Sequence, residues 1–372
     1  MKILPLGIAI IMGSIVGAGI LGIPYTVVQS GFLIGALEII LLGIVIALFY
    51  LYLGEVTLRL KGTHELTGYA EKFLGKYGKY GFAFSMAFGI YGALIAYLFG
   101  IGEAVTNLVG GTTLYYSLAA FVILGFFVHK GLKLIENIEF WMIGGVVLIV
   151  VIIALFSFNM IDYNNYKGVN LSNAFVPYGA ILFAFIGASV IPEVRQVLNK
   201  NKNLMKKSII YAVVVITLIY LLFAFIVVGA TGKNTTEVAT TGLGNQVSPT
   251  MLILGNVFAI FTMSTSFLAL GLALRWMFEY DYKVKKNLAL FLVLFIPLIF
   301  VLFHIGSFVK IISLAGIVTG GLEGILILMM HYKAKKLGER KPEYTIKGNF
   351  AIYAIILILF LAGIIMSLKG YF

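Results

Sequence analysis

The chain has 372 residues, of which 61% are hydrophobic and only 11% charged, more apolar surface than a soluble core can hide. The absence of cysteine excludes disulfides, thiol catalysis and cysteine-ligated metals, and the four histidines at 64, 129, 304 and 331 have no metal-ligand spacing. What remains is a polytopic membrane protein whose net charge of +12 needs a topological origin.

The first apolar segment, about residues 5–29, carries the most informative feature. From Met12 to Tyr25 it reads MGSIVGAGILGIPY, with glycine at 13, 17, 19 and 22 and proline at 24. Backbone that leaves helical geometry at membrane depth is tolerated only where protein or a water-filled cavity satisfies its N–H and C=O groups. A broken helix therefore marks a ligand site. The segment is too long for a secretory leader and lacks a small-residue cleavage site. Gly17 to Gly22 also matches GxGxxG, with Glu38 at the spacing of a ribose-binding acid. That dinucleotide reading needs a preceding strand and a βαβ unit, and a membrane span supplies neither.

Hydropathy continues with spans near 31–58, 81–109, 112–129, 138–159, 173–198, 206–231, 248–278, 287–304, 308–331 and 348–368. Short loops join these eleven spans and leave no room for a soluble module, so function must lie among the helices. With the N-terminus inside and sides alternating, 23 of the 27 Lys and Arg residues fall on the cytoplasmic side. Only Lys167, Lys233, Lys310 and Lys369 land outside, and the C-terminus is expected outside too. Sparse glutamine, absent cysteine and a lysine-heavy basic set point to a thermophilic prokaryote, with the protein in its plasma membrane.

Ile15 to Pro24 (IVGAGILGIP) has a counterpart in Phe185 to Pro192 (FIGASVIP), and Gly17 and Gly187 stand 170 residues apart. Five spans separate them, an odd number, so the two halves cross the membrane in opposite directions. Such spacing predicts an inverted five-helix repeat, residues 1–160 and 173–332, broken near 13–19 and 186–190, with residues 348–368 outside it. On span 10, Gly316, Gly320 and Gly324 form a smooth stripe for close helix packing.

These residues also carry a resemblance. GSIVGAGILGIPY (13–25) is similar to the first-helix motif of the amino acid/auxin permease family, within the amino acid–polyamine–organocation superfamily. FAFIGASVIPEVRQVL (183–198) resembles that family's sixth helix. STSFLALGLALRWMF (264–278) resembles its eighth, above all in the bacterial aromatic amino acid permease branch. The resemblance implies an all-α leucine-transporter-type fold, a 5+5 inverted repeat with an eleventh helix, holding an amino acid near the midplane against broken helices 1 and 6.

A zwitterionic amino acid needs donors for its carboxylate and acceptors for its ammonium. The N–H groups of Gly17, Ala18 and Gly19, opening a new half-helix, suit the carboxylate. A similar break of the sixth span around Ile186, Gly187 and Ser189 leaves carbonyls at the C-terminal end of its first half to accept from the ammonium. Selectivity then falls to side chains facing the cavity, with Phe183, Phe185, Ala188, Ser189, Tyr91 and Tyr97 as candidates, although most aromatics in such a chain serve packing.

On span 8, Thr262, Thr265 and Ser266 place three hydroxyls within two turns. Sodium prefers such hard oxygens; the alternative is hydrogen bonding back to helix carbonyls. In the related fold a sodium site joins helices 1 and 8, which here implies the carbonyls of Gly13 and Val16 with Thr265 and Ser266. Some proton-coupled relatives carry a lysine on span 5, where this chain has none; Lys133 lies only at the approach to it.

Acids within spans are functional candidates because burying charge is costly. Glu38, Glu103, Glu193 and Glu323 qualify, and Glu193, beside Pro192, reads as a gating residue paired with Arg275 or Lys133. No acid pair or nucleophile and base share one depth, so an enzyme is not expected.

The expectation is a secondary transporter importing neutral amino acids by alternating access, coupled to sodium, with proton coupling or exchange as the alternative and a non-transporting amino acid sensor as the alternative of a different class. Its partners are the amino acid and the lipid bilayer; no nucleic acid, obligatory protein partner or cofactor is called for.

Overall fold

The computed structural model describes residues 3–62, 64–131, 148, 150–348 and 350–371. Lys133 and residues 138–147 of the fifth expected span lie outside the described residues.

The first span is broken where its glycines cluster. Helix α1 (Ile3–Ile15) ends, Gly17 takes an extended conformation (φ −123°, ψ −156°), a 3₁₀ turn runs from Ala18 to Gly22, and α2 (Ile23–Ser30) follows with Pro24 in its first turn. The halves are bent by 52°. Proline suits that position, because the first-turn amide it lacks would have no intrahelical acceptor. Gly31 (φ +91°) then reverses the chain into α3, Phe32–Leu58, at a point where a Cβ would press on the Gly168 carbonyl at 2.5 Å.

A short amphipathic helix α4 (Leu66–Leu74) precedes α5 (Lys76–Val109), so the third helix starts five residues earlier than hydropathy alone suggests. Then come α6 (Thr113–Lys130) and the short apolar α7 (Val150–Met160). The sixth span breaks as expected: α8 (Val176–Phe185) stops, Ile186 is extended, and α9 (Val190–Leu198) resumes. Helices α10 (Met205–Thr231), α12 (Pro249–Trp276), α13 (Lys286–Leu302), α14 (Phe308–Leu337) and α15 (Phe350–Tyr371) complete the set. Residues 239–247, read from sequence as loop, form the helix α11 (Ala239–Val247), packed on α12. The bent pair, seven helices long and apolar enough to cross a membrane, and three shorter apolar ones fall on the eleven expected stretches.

Hydrogen bonds between loops sort them into two sets. Asn170 N–H donates to Ser30 O, Asp162 N–H to Gly229 O, Asn107 Nδ2 to Thr241 O and Val309 N–H to the Glu237 carboxylate, joining the loops after α2, α5, α7, α10 and α13. In the other set, the Arg195 guanidinium donates to Leu60 O and Arg275 to Val128 O, while the amides of Glu339 and Arg340 donate to Arg59 O. The two sets take alternate connections along the chain, as helices that cross a membrane in turn require.

Helix α14 lies against α5 and α8. A Cβ at Gly316 would meet the backbone of Gly179 and Phe183, one at Gly320 would meet Leu182, and one at Gly324 would meet Phe49. The stripe is thus used for packing, as its spacing implies. One buried anchor escaped sequence reading. Glu55, fully buried on α3, accepts from Arg59 Nε (2.9 Å) and the Ile346 amide (2.6 Å) and pairs with His331 Nε2 (3.0 Å), seating the 338–348 loop on the end of α3.

Candidate functional site

The two breaks face each other across a cavity of about 260 Å³, toward the small end for a small-molecule pocket. Its wall comes from α1 and the 3₁₀ turn, the α8–α9 break, and one face each of α5, α12 and α14. The end of α1 and the two breaks contribute Gly13 to Gly17, Gly19, and Ile186 to Ser189. Helices α5 and α12 contribute both apolar residues, Met86, Ile90, Ala93, Leu268 and Ala269, and the hydroxyls of Tyr97, Thr265 and Ser266. The cavity therefore combines polar groups with a larger share of apolar lining.

Of the residues expected to hold substrate, Gly17, Gly19, Ile186, Gly187 and Ser189 line this cavity, as do Phe183, Ala188 and Tyr97. Ala18, Phe185 and Tyr91 do not. Ala18 is fully buried on the far side of the 3₁₀ turn. Phe185 points away into packing with Tyr220, ring centroids 5.0 Å apart. Tyr91 donates its hydroxyl to Leu292 O (3.0 Å) and so serves the α5–α13 contact.

The backbone chemistry at the breaks also differs in detail from expectation. The Gly17 amide is occupied by the Ile15 carbonyl at 2.9 Å. Ala18 and Gly19 open the 3₁₀ turn, where no intrahelical acceptor precedes their amides, and of these only Gly19 borders the cavity. Gly19 is required for a second reason: a Cβ there would sit 3.0 Å from Ala184 Cα, so the two broken helices touch through it. On the other break, carbonyls expected to await an ammonium are already served. Tyr50 Oη donates to Phe185 O at 2.6 Å, and Tyr220 Oη donates to Ala184 O at 2.6 Å with Ile15 O at 3.3 Å. Both tyrosines are buried, on α3 and α10.

The proposed ion ligands come together on the cavity wall: Gly13, Val16, Thr265 and Ser266. A Cβ at Gly17 would stand 3.6 Å from Ser266 Oγ, so the first break looks directly at α12. Thr265 Oγ1 lies 2.9 Å from Phe261 O and 3.0 Å from Thr262 O, to which it donates. A hydroxyl that donates to its own helix still has lone pairs for a cation.

The acids separate by place. Glu323 lines the cavity beside Thr319, is 7% exposed, and among the described residues forms no ion pair. Glu193 lies outside the cavity on the exposed face of α9. Its expected pairing with Arg275 is not formed: Arg275 binds Glu279 Oε1 at 2.6 Å and donates to Val128 O and His129 O (3.0 Å), capping the end of α6. Arg195, to which the sequence assigned no role, likewise caps the end of α3 through Leu60 O, Gly62 O and the Tyr69 hydroxyl. The C-terminal ends of helices carry negative partial charge, which explains why buried cations settle there.

Two proteins of Haemophilus influenzae are similar along nearly the whole chain. "Tyrosine-specific transport system 1" and "Tyrosine-specific transport system 2" are each 24% identical, covering 94% of this chain and 92% of their own length. A model of the tryptophan/tyrosine permease family matches residues 2–367. The resemblance of the eighth helix to the aromatic branch is therefore the one that holds, and assignment to the auxin permease family is set aside. A multi-pass helical membrane protein, built around a cavity between two helix breaks and matched end to end by this family, is an amino acid transporter and not an enzyme. The chain belongs to the tryptophan/tyrosine permease family.

Proposed function

We propose that this protein imports aromatic amino acids, tyrosine or tryptophan first among neutral ones, by alternating access in a prokaryotic plasma membrane. The observation that carries the reading is a cavity whose lining joins both helix breaks with apolar residues of α5 and α12: the breaks suit a zwitterionic head, and Met86, Ile90, Ala93 and Leu268 suit a ring. The names of the relatives favour the same substrates. Uptake of a radiolabelled panel into proteoliposomes tests it. Tyrosine and tryptophan should be taken up well above serine, glutamate and lysine, and a preference for small or charged amino acids would overturn the reading.

The architecture we infer is a 5+5 inverted repeat, residues 1–160 and 173–332, with residues 348–368 appended. Supporting it are the breaks at Gly17 and Gly187 in oppositely running spans and the two sets of loops. The distribution of basic residues supports an orientation with the N-terminus inside and the C-terminus outside. Because the chain lacks cysteine, single cysteines replacing the exposed residues Lys167, Lys233 and Lys336 test this cleanly. In sealed right-side-out cells an impermeant thiol reagent should label the first two only; labelling at position 336 would reverse or break the topology.

For coupling we infer a sodium site of the Gly13 and Val16 carbonyls with Thr265 and Ser266, supported by their convergence on one wall. A second reading has its own observation. Glu323 lines the same cavity, is buried and forms no ion pair among the described residues, and an acid inside a membrane span is a candidate proton site.

A further inference from the structure

The hydrogen bonds at the breaks obey the same numerical offset as the breaks themselves. Gly17 and Gly187 are 170 residues apart, and so are Tyr50 and Tyr220. The acceptor of Tyr50 is Phe185 O, and the longer contact of Tyr220 is Ile15 O, again 170 residues apart. Each tyrosine stands on the helix that follows one broken helix and reaches the end of the other broken helix. The two contacts are thus one contact made twice, once in each half.

We propose that Tyr50 and Tyr220 are a reciprocal pair of positioning residues that hold the carbonyl ends of both broken helices and exchange acceptors as the cavity changes sides. The proposal rests on the inverted-repeat reading above. The contacts are equivalent in kind and unequal in length. Tyr50 Oη to Phe185 O is 2.6 Å, whereas Tyr220 Oη to Ile15 O is 3.3 Å, and Tyr220 is instead closest to Ala184 O at 2.6 Å. A hydroxyl carries one hydrogen and serves one carbonyl well at a time. In this state Tyr220 therefore serves the second break, through Ala184 O, better than the first, while Tyr50 serves only Phe185 O.

In an inverted-repeat carrier the opposite-facing state follows from exchanging the conformations of the two halves. The exchange makes Tyr220 to Ile15 O the short bond, lengthens Tyr50 to Phe185 O, and turns Tyr50 toward Ser14 O, since position 14 stands to 184 as 15 stands to 185. Tyr220 then has one contact more than Tyr50 in the state described, and Tyr50 one more in its counterpart. Removing one hydroxyl biases the carrier in one direction, and removing the other biases it in the reverse direction. A purely structural role predicts no such opposition.

The test uses full-length protein in sealed vesicles with a single reporter cysteine, Ala269→Cys, on the cavity wall. Its labelling rate by an impermeant thiol reagent reads how often the cavity opens to that side. Tyr50→Phe and Tyr220→Phe should shift the rate in opposite directions, each by about two- to five-fold, the worth of one weak buried hydrogen bond. The double variant should return close to the parent rate. Tyr178→Phe, at a buried tyrosine whose hydroxyl has no partner among the described residues, should change nothing. If Tyr220→Phe does not accumulate, 3-fluorotyrosine at position 220, a stronger donor of nearly the same size, should move the rate opposite to Tyr50 bearing the same replacement. Shifts in one direction, or none, would overturn the assignment. Topology labelling at 167, 233 and 336 fails independently, and only that failure removes the repeat reading as well.

Discussion

Gly17→Leu is expected to abolish substrate binding while leaving the protein folded. Gly17 sits at φ −123°, a conformation open to any residue, and its Cβ direction leads to Ser266 Oγ at an ordinary 3.6 Å. The added isobutyl group therefore enters the space between the first break and α12, where the amino acid head would lie, without straining the backbone. Substrate-dependent thermal stabilisation should disappear, corresponding to an affinity loss of at least about 100-fold, or about 2.8 kcal/mol. Gly17→Ala should fold normally and lose less. Gly19→Ala is the informative contrast, because its Cβ would meet Ala184 Cα at 3.0 Å and force α8 away from the 3₁₀ turn. That variant should lose stability itself, by about 1–3 kcal/mol. Wild-type stabilisation by substrate in Gly17→Leu would mean that the amino acid does not sit against the first break.

The second large effect concerns the driving ion. Uptake into proteoliposomes should require an inward sodium gradient, and the double variant Thr265→Ala, Ser266→Ala should lose that requirement along with most of its rate. The fall should be at least about tenfold, since even changes outside a metal's ligand shell cost 10- to 100-fold in affinity. Alanine keeps a helix-favouring side chain, so expression should be preserved. Glu323→Gln separates the two readings. With sodium coupling it leaves the sodium dependence intact. With proton coupling, wild-type uptake runs in sodium-free buffer under an inward proton gradient, and Glu323→Gln, which cannot gain or release a proton, loses the response to pH while retaining exchange of bound for free amino acid. Sodium-free, pH-driven uptake would reduce Thr265 to the backbone hydrogen bonds it makes with Phe261 O and Thr262 O.

Much of the architecture was readable from local chemistry. Among the described residues the apolar helices fall where hydropathy placed them, and four glycines with a proline located the first break, because helix-breaking residues act through their own φ, ψ and amide. The break near Gly187 and the packing stripe on α14 were legible for the same reason, as was membership of the aromatic branch from the eighth-helix motif.

What the chain could not reveal locally is which groups answer each other across it. Helix α11 forms in a stretch too polar to stand out, since its stability comes from packing on α12. Tyr91 and Tyr97 lie on one helix and look alike in sequence; only the packing of α13 turns the first outward and leaves the second on the cavity. Arg275, read as a gate, is drawn to the carbonyl end of α6, and Tyr50 and Tyr220 occupy carbonyls that sequence reasoning left for the ammonium. Sequence by itself determined the spans, the breaks and the family, because those follow from each residue's own hydrophobicity and backbone preference. Tertiary structure alone decided which carbonyls, hydroxyls and carboxylates face the cavity, because a buried polar group goes wherever a partner more than a hundred residues away can satisfy it.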